Sequence, residues 1–159
     1  MIRKAKVSDA KAIASIYNHF VLNSTVTFEE NKVDCKDIIN RIGTNKKHKW
    51  WVYEKNHILM GYAYSTQWKT RSAYRYTVES SVYVTQKYQK KGIGRALYNH
   101  LVKSLKDDGF RRILAGISLP NNKSVIFHEK LGFKKVGQLE KVGFKFNKWI
   151  DVGYWELKI

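Results

Sequence analysis

The sequence predicts a mixed fold of the α/β or α+β class, in which helices cover one sheet. Several stretches alternate apolar and polar residues, as half-buried strands do, and others repeat apolar residues at helical spacing. In chain order they give a strand, two helices, three strands, a helix, a strand, a helix and two strands. This order predicts a mixed sheet. A length of 159 residues suits one domain, which we place at residues 1–159.

The first predicted elements are a short strand and a helix. Residues 2–6 predict the strand, and residues 8–21 predict a helix that has Ser8 as its N-cap. The apolar stripe of this helix consists of Ile13, Ile16, Tyr17 and Phe20. Residues 23–33 are polar and β-branched, so we expect a loop there.

A second helix and a hairpin follow. Residues 34–42 predict the helix, capped by Asp34 and ending near Gly43. Residues 49–68 predict the hairpin, because two β-rich runs flank a turn at residues 55–57.

The second strand of that hairpin contains Gly61, a candidate for a β-bulge, and residues 74–84 predict the next strand. One face of this strand is expected to carry Thr77, Glu79, Ser81 and Tyr83. The other face is expected to carry Val78, Ser80, Val82 and Val84. A polar face is unusual for a central strand, so these polar residues are candidates for a functional site.

The strongest helical pattern lies at residues 93–110, where Gly109 suits the position after the C-cap. Its apolar stripe consists of Ile93, Leu97, Leu101 and Leu105. Residues 111–118 then predict a strand, and residues 121–133 predict a helix of about three turns that an Asn opens.

We expect Gly132 to end the last helix and two strands, at residues 134–144 and 148–159, to complete the sheet. Trp149 and Trp155 in the final strand are interpreted as core or dimer contacts rather than as ligand-stacking residues.

The composition indicates a folded, strongly basic protein. Hydrophobic residues make up 43% of the chain, and 30 Lys+Arg against 13 Asp+Glu give a net charge of +17. Such a charge favours anionic ligands, although lysine-rich faces that merely keep a protein in solution give the same total. Charge alone therefore does not identify a partner.

The cysteine content and the hydropathy pattern bear on cellular location, metal binding and membrane association. Cys35 is the only cysteine, so neither an intrachain disulfide nor a Cys-based zinc site can form, and we expect a reducing, cytoplasmic location and no metal. No apolar run approaches the roughly 18 residues that a membrane span requires, and the N-terminal residues do not resemble a secretory signal. No membrane association is expected.

A glycine-rich, lysine-rich turn precedes the strongest helix. The first N–H groups of a helix have no intrahelical acceptor, and the helix dipole adds positive charge there, so the turn is suited to an anion. Lys87, Lys90, Lys91 and Arg95 add cations around it. Neither G-x-x-x-x-G-K-[ST] nor a complete G-x-G-x-x-G is present, which disfavours ATP and dinucleotides.

The turn does match [QR]-x-x-G-x-[GA], and this motif resembles the acetyl-CoA pyrophosphate loop of the GNAT N-acetyltransferase superfamily. The motif comprises Gln89, Lys90, Lys91, Gly92, Ile93 and Gly94. Segments such as "WKTRSAYRYTVESSVYV", "PNNKSVIFHEKLGF" and "VGFKFNKWIDVGYWEL" resemble phosphinothricin acetyltransferases and related amino-acid N-acyltransferases. The resemblance spans nearly the whole chain and implies a mostly antiparallel, twisted sheet flanked by helices.

The resemblance also implies roles for the cofactor residues. Acetyl-CoA is expected as co-substrate, with its pantetheine amides against the backbone of Val82, Tyr83 and Val84, and its diphosphate on residues 89–95. An N–H near Val84 would stabilise the charge that develops on the thioester oxygen. Asn121 is expected to hydrogen-bond the pantetheine arm, to cap its helix, or to do both.

Two residues are candidates for proton transfer. Glu79 is expected to be the base that deprotonates the amine, because glutamate is disfavoured in strand interiors and because the resemblance places the base there. The alternative is an ion pair with Arg71 or Arg75. His128 stands where many GNAT enzymes have a tyrosine, and it is interpreted as an acid, a second base, a substrate contact or a core histidine paired with Glu129.

The acceptor amine is expected to be a small amino acid such as phosphinothricin or methionine sulfoximine, acetylated by direct attack in a ternary complex. Its predicted binding residues are Phe28, Lys69, Arg71, Ser72, Ala73 and Tyr74. A polyamine, an aminoglycoside or a protein N-terminus are alternative acceptors. A nucleic-acid-binding module is the alternative from another class, but we expect no nucleic acid. Relatives suggest a homodimer, and nothing supports a covalent intermediate on Cys35.

Overall fold

The structure, a computed structural model, describes residues 1–43 and 48–159, which form four helices and one seven-stranded sheet. The helices are α1 (Ala10–Asn23), α2 (Cys35–Gly43), α3 (Ile93–Asp107) and α4 (Asn122–Glu129). The strands are β1 (Ile2–Lys4), β2 (Trp50–Lys55), β3 (Ile58–Gln67), β4 (Thr77–Val84), β5 (Arg112–Leu119), β6 (Lys134–Lys145) and β7 (Lys148–Lys158).

The strand order is β1-β2-β3-β4-β5-β7-β6, and every neighbouring pair is antiparallel except β4 and β5. The parallel pair is possible because α3 carries the chain from the end of β4 back to the start of β5. The predicted mixed fold is therefore confirmed.

Two apolar cores lie on opposite faces of the sheet. The predicted stripe of α3 packs on one face, where Leu97, Leu101 and Leu105 are completely buried. On the other face, Ile13 and Val21 of α1 and Ile38 of α2 pack against the sheet. No helix in the described ranges is long and apolar enough to cross a bilayer.

The start of α1 and the end of α4 differ from the predictions. Ser8 is not the N-cap, because a short 3-10 turn at Val7–Asp9 precedes the helix and puts Asp9 at that position. The last predicted turn of α4 is instead a hydrogen-bonded turn that leads to Gly132, which has φ of +91°. In contrast, Asp34 caps α2 as predicted, since its Oδ1 accepts the Asp37 N–H at 2.8 Å.

The β2–β3 hairpin has the turn and the bulge that its sequence predicts. The turn between β2 and β3 is the pair Asn56–His57, both with positive φ, and the bulge beside Gly61 leaves Met60 as the extra residue. Trp155 is a core residue as predicted, whereas Trp149 is 64% exposed on the β6–β7 hairpin.

Candidate active site

The strands β4 and β5 separate after a short paired stretch, and this separation forms the site. Their register runs from Thr77–Arg112 to Glu79–Leu114. Beyond it lies a cavity of about 890 Å³, lined by residues 80–84 of β4, residues 115–118 of β5 and the starts of α3 and α4. A gap of this size between strand edges can take an elongated ligand.

The peptide groups of β4 are directed alternately to β3 and to the cavity. Thr85 donates its N–H to the Met60 carbonyl at 2.9 Å, and hydrogen-bonded pairs alternate along an antiparallel ladder. Tyr83, two residues earlier, is therefore a hydrogen-bonded partner of Tyr62. The N–H and C=O groups of Val82 and Val84 point away from β3, towards the cavity.

The turn before α3 presents free N–H groups to the same cavity. Gly92 has φ of +78°, a conformation that favours glycine, and the first helical bond runs from the Ala96 N–H to the Gly92 carbonyl at 3.0 Å. The N–H groups of Ile93, Gly94 and Arg95 thus precede the first intrahelical bond. The result is a cradle for an anion at the helix N-terminus.

The cations around this turn divide into two groups. Lys90 and Arg95 line the cavity, as do Gln89, Gly92, Ile93 and Gly94. Lys91 does not line it, because its Nζ lies over the Tyr88 ring, 5.5 Å from the centroid, with Lys87 at 5.0 Å from the same centroid.

His128 is buried at the wall of the cavity in an aromatic cage. Its Nδ1 lies 2.8 Å from the Ser124 carbonyl, and the rings of Tyr98, Phe127 and Phe133 meet it edge to face. Burial lowers the pKa of His128 below its ordinary value of 6.5. A neutral ring that donates from Nδ1 has an accepting Nε2.

The proposed pairing of His128 with Glu129 was wrong, because Glu129 instead accepts a hydrogen bond from the Trp155 indole at 3.2 Å. Asn121 is the N-cap of α4: its Oδ1 accepts the Ser124 N–H at 3.2 Å. Since Asn121 also lines the cavity, capping leaves it in reach of a ligand there.

Glu79 lies at the point where β4 and β5 part. A Cβ built on Gly116 would be 3.1 Å from Glu79 Oε1, so the missing side chain at Gly116 makes room for the carboxylate. Burial raises the pKa of Glu79 above its ordinary value of 4.5, while the charge of Lys69 and a backbone hydrogen bond from Gly116 oppose this rise.

The alternative prediction, an ion pair between Glu79 and Arg71 or Arg75, was wrong. Among the described residues, Glu79 has no ion pair within 4.0 Å. Arg75 instead lies over the Tyr76 ring, 4.7 Å from its centroid.

The predicted acceptor residues fall into three places. Lys69 and Tyr74 line a second cavity of about 490 Å³, together with Leu114 of β5 and Tyr154 of β7. Arg71, Ser72 and Ala73 are exposed on the turn before β4 and do not line it. Phe28 packs on the backbone of Gly143, since a Cβ there would lie 2.2 Å from its ring.

Two residues near the site were missed from the sequence. Tyr154 lies beside Gly116, 3.5 Å from the position that a Cβ on Gly116 would take. Burial, and after it the charge of Glu79, raises the pKa of Tyr154 above its ordinary value of 10.0. Ser80 lines the large cavity and hydrogen-bonds the Tyr98 hydroxyl. Tyr154 comes close to Glu79 because β7 pairs with β5, where Gly116 lies opposite Tyr154. This proximity depends on distant parts of the chain, so no local sequence pattern could have indicated it.

The residues at the large cavity fit acetyl-CoA. The outward peptide groups of Val82 and Val84 match an amide-bearing arm, and the N-terminus of α3 with Lys90 and Arg95 matches a diphosphate. Over the described ranges, no three His, Cys, Asp or Glu side chains gather closely enough to hold a metal ion.

Comparisons with known proteins agree with this geometry. The family described as the acetyltransferase (GNAT) domain matches residues 2–153. The phosphinothricin N-acetyltransferase of Streptomyces viridochromogenes is 40% identical over 98% of this chain and 85% of its own length. The L-methionine sulfoximine/L-methionine sulfone acetyltransferase of Salmonella typhimurium is 35% identical over 99% of this chain and 94% of its own length.

A solved structure extends the similarity to the fold and the co-substrate. A GNAT superfamily phosphinothricin acetyltransferase from Sinorhizobium meliloti, in complex with acetyl-CoA, superposes with a TM-score of 0.95 at 31% identity. The match covers 100% of this chain and 88% of that one.

Proposed function

The chain belongs to the GNAT acetyltransferase family, whose members use acetyl-CoA, and we propose that it acetylates the amino group of a small amino acid such as phosphinothricin or methionine sulfoximine. The observation that carries the proposal is the Glu79 carboxylate, which is half-buried, without an ion pair in the described ranges, and located where β4 and β5 separate. The names of the relatives support this acceptor class.

Glu79 acts as the base. An amino acid's ammonium group cannot attack a thioester until it loses a proton, and a carboxylate with a raised pKa accepts that proton readily. The amine nitrogen then forms a bond to the acetyl carbon as the carbon–sulfur bond breaks. The Val84 N–H, directed into the cavity, donates to the acetyl oxygen as charge develops, which contributes about 3 kcal/mol.

His128 handles the second proton. The nitrogen gives up this proton when the amide forms, and the departing thiolate needs one. Because His128 is neutral and its Nε2 accepts, it takes the proton from nitrogen and returns it to sulfur. The neutral ring favours the base-then-acid sequence over a histidine that starts as an acid.

The binding residues divide between the two ligands. The backbone of Val82 and Val84, together with Asn121, holds the pantetheine arm, and residues 89–95 hold the diphosphate. The expected backbone contact from Tyr83 is not kept, because the peptide groups of Tyr83 pair with Tyr62 of β3.

Lys69 attracts the acceptor's carboxylate and Tyr74 lines its side-chain pocket, which Phe28 also shapes. Arg71, Ser72 and Ala73 lie on the exposed turn outside the second cavity, so they are not part of this pocket. The basic surroundings favour a zwitterionic acceptor over a polycation.

We also propose that the enzyme works as a homodimer in the cytoplasm, where acetylation of a toxic amino acid confers resistance. An exposed apolar surface on the β6–β7 hairpin supports the dimer. The unpaired Cys35 supports a reducing compartment.

The test combines binding and turnover. Calorimetric titration with acetyl-CoA is expected to show one site per chain, and a panel of amines with a thiol-release readout should give highest kcat/KM for small amino acids. Turnover with polyamines or aminoglycosides alone would refute the amino-acid acceptor. Failure to bind acetyl-CoA would refute the site itself.

A further inference from the structure

Lys145, near the end of β6, is a buried lysine without a carboxylate partner in the described ranges. Its side chain is 1% exposed, and its Nζ donates to the Val21 carbonyl at 2.7 Å and to the Thr27 carbonyl at 2.8 Å. Its Nζ also lies over the Phe146 ring, 5.1 Å from the centroid. A buried ammonium is unfavourable unless it is hydrogen-bonded, so the two carbonyls are its main partners among the described residues.

The two carbonyls belong to different parts of the chain. Val21 is in the last turn of α1, where carbonyls have no intrahelical donor and the helix dipole favours a cation. Thr27 lies in the segment between α1 and α2, which has no regular secondary structure. Lys145 thus joins this segment to β6.

The ends of that segment are attached to α1 by other contacts. Ser24 donates its N–H to the Phe20 carbonyl at 3.1 Å, and the Asn18 side chain bonds both backbone groups of Val33, at 2.8 and 2.9 Å. The middle is attached through Thr27, whose Oγ1 lies 2.6 Å from the Tyr17 hydroxyl.

The tethered segment contacts the large cavity and β6. Ser24 and Val26 line the large cavity, and Phe28 packs on Gly143 of the same strand as Lys145. The position of the Phe28 ring therefore depends on how closely residues 24–28 are held to β6.

We propose that Lys145 is a positioning residue for the acceptor site, because it holds residues 24–28 against β6 and so fixes Phe28. This inference rests on the proposed function, since it assigns Phe28 to the acceptor pocket. Lys145 itself lines neither the large nor the second cavity.

The test compares Lys145→Met, which removes the donors at similar volume, with Lys148→Met, its exposed cross-strand neighbour. Hydrogen exchange in Lys145→Met should become faster at residues 24–32 while β3 and β5 keep their protection. The acceptor KM should rise about tenfold, and the acetyl-CoA KM should rise less, because only Ser24 and Val26 of the segment line the large cavity. Lys148→Met should match the wild type in all three.

Other outcomes separate the explanations. Unchanged exchange at residues 24–32 and an unchanged acceptor KM would overturn the proposal, as would a parallel rise of both KM values with uniform loss of protection. If Lys145→Met does not fold, Lys145→Gln, a shorter uncharged amide, is measured in the same way and judged by the same criteria. If the wild type binds no acetyl-CoA, the proposed function fails, whereas the exchange measurement still decides whether Lys145 holds the segment.

Discussion

Glu79 stays without an ion pair among the described residues although the chain has 30 Lys+Arg and only 13 Asp+Glu. Other carboxylates are drawn into pairs, for example Asp9 and Glu54 with Arg3. A close cation would stabilise the ionised form of Glu79 and make it a weaker base. The lack of an ion pair within 4.0 Å, among the described residues, therefore favours the proposed role of Glu79, although the charge of Lys69 offsets part of the rise of its pKa.

The first prediction concerns Glu79→Gln. We expect kcat to fall by about 10²–10⁴-fold, because the amide cannot accept the ammonium proton. In the wild type, kcat/KM should fall as pH drops through the raised pKa of Glu79, and this limb should begin above 4.5. Steady-state kinetics across pH measure both effects.

We also expect Glu79→Gln to affect thermal stability. A carboxyl group with a folded-state pKa above its unfolded value opposes folding at neutral pH, so Glu79→Gln should keep or raise Tm. The exposed Glu140→Gln is the control. Wild-type turnover in Glu79→Gln would contradict the assignment of the base.

The second prediction concerns Asp9, which accepts two hydrogen bonds from Arg3, both at 2.8 Å, and the Lys6 N–H at 2.7 Å. The bonds from Arg3 are the largest cause that holds the pKa of Asp9 below its ordinary value of 3.8. Asp9→Asn should lower the free energy of unfolding by about 1–3 kcal/mol at pH 7.

The pH dependence follows from the sign of this shift. The stabilisation is present above pH 3.8 and is lost as pH falls through the lower folded-state pKa, so the two proteins should converge in strong acid. Denaturant unfolding at several pH values measures this. Asp107→Asn, which breaks an exposed pair with Lys103, should have little effect, and an equal loss in both variants would argue against a special role for Asp9.

At the scale of elements, local patterns predicted the helices better than their ends. The spacing of Leu97, Leu101 and Leu105 defined α3 because one buried face suffices to specify a helix. The start of α1 was misplaced because hydrogen bonds from Arg3 and Lys6 engage the Asp9 carboxylate. Such contacts between elements have no signature in a local pattern.

The third prediction tests the turn that opens α3. Gly92→Ala should lower the free energy of unfolding by about 1–2 kcal/mol, because φ is +78° there while no atom would clash with the new Cβ. Strain in the turn should also displace the N–H groups of Ile93 and Gly94 and weaken acetyl-CoA binding. Thermal unfolding and calorimetric titration measure the two effects.

The matched control is Gly43→Ala, since Gly43 also has open space around it but lies at the end of α2 in a conformation without positive φ. It should leave acetyl-CoA affinity unchanged. Equal affinities for the Gly92→Ala and wild-type proteins would show that the turn does not hold the diphosphate.

At the scale of the whole molecule, the β6–β7 hairpin exposes several large apolar side chains. They are Val136, Leu139, Val142, Phe144, Phe146 and Trp149. The fourth prediction is that Trp149→Glu converts the proposed dimer into a monomer, because it puts a charge beside the exposed Phe144 ring, whose centroid lies 5.0 Å from that of Trp149. Sedimentation velocity measures the change.

Ile58→Glu, a charge on the exposed β2–β3 hairpin, is the control and should leave the sedimentation coefficient unaltered. A wild-type protein that sediments as a monomer at all concentrations would contradict the proposed dimer. A dimer that survives Trp149→Glu would move the interface elsewhere.

The sequence predicted the parts of the candidate site that lie within one segment, and it missed those that several segments assemble. The turn at residues 89–95 is visible as a motif, and Glu79 is visible as an unusual strand residue. Lys145 has no local pattern that would single it out, because the carbonyls that accept its hydrogen bonds come from 118 and 124 positions earlier in the chain. Lys69 and Tyr74 of the second cavity were predicted, whereas its wall on β5, β6 and β7 was missed because that wall depends on strand register.

The short register between β4 and β5 divides the sheet into two panels, one of four strands and one of three. The strands within each panel are paired along most of their length, but the two panels are paired only from Thr77–Arg112 to Glu79–Leu114. A ligand that binds between the separated ends of β4 and β5 and hydrogen-bonds to both panels would replace some of the strand pairing that is missing there. Such a ligand should therefore raise the thermal stability of the protein.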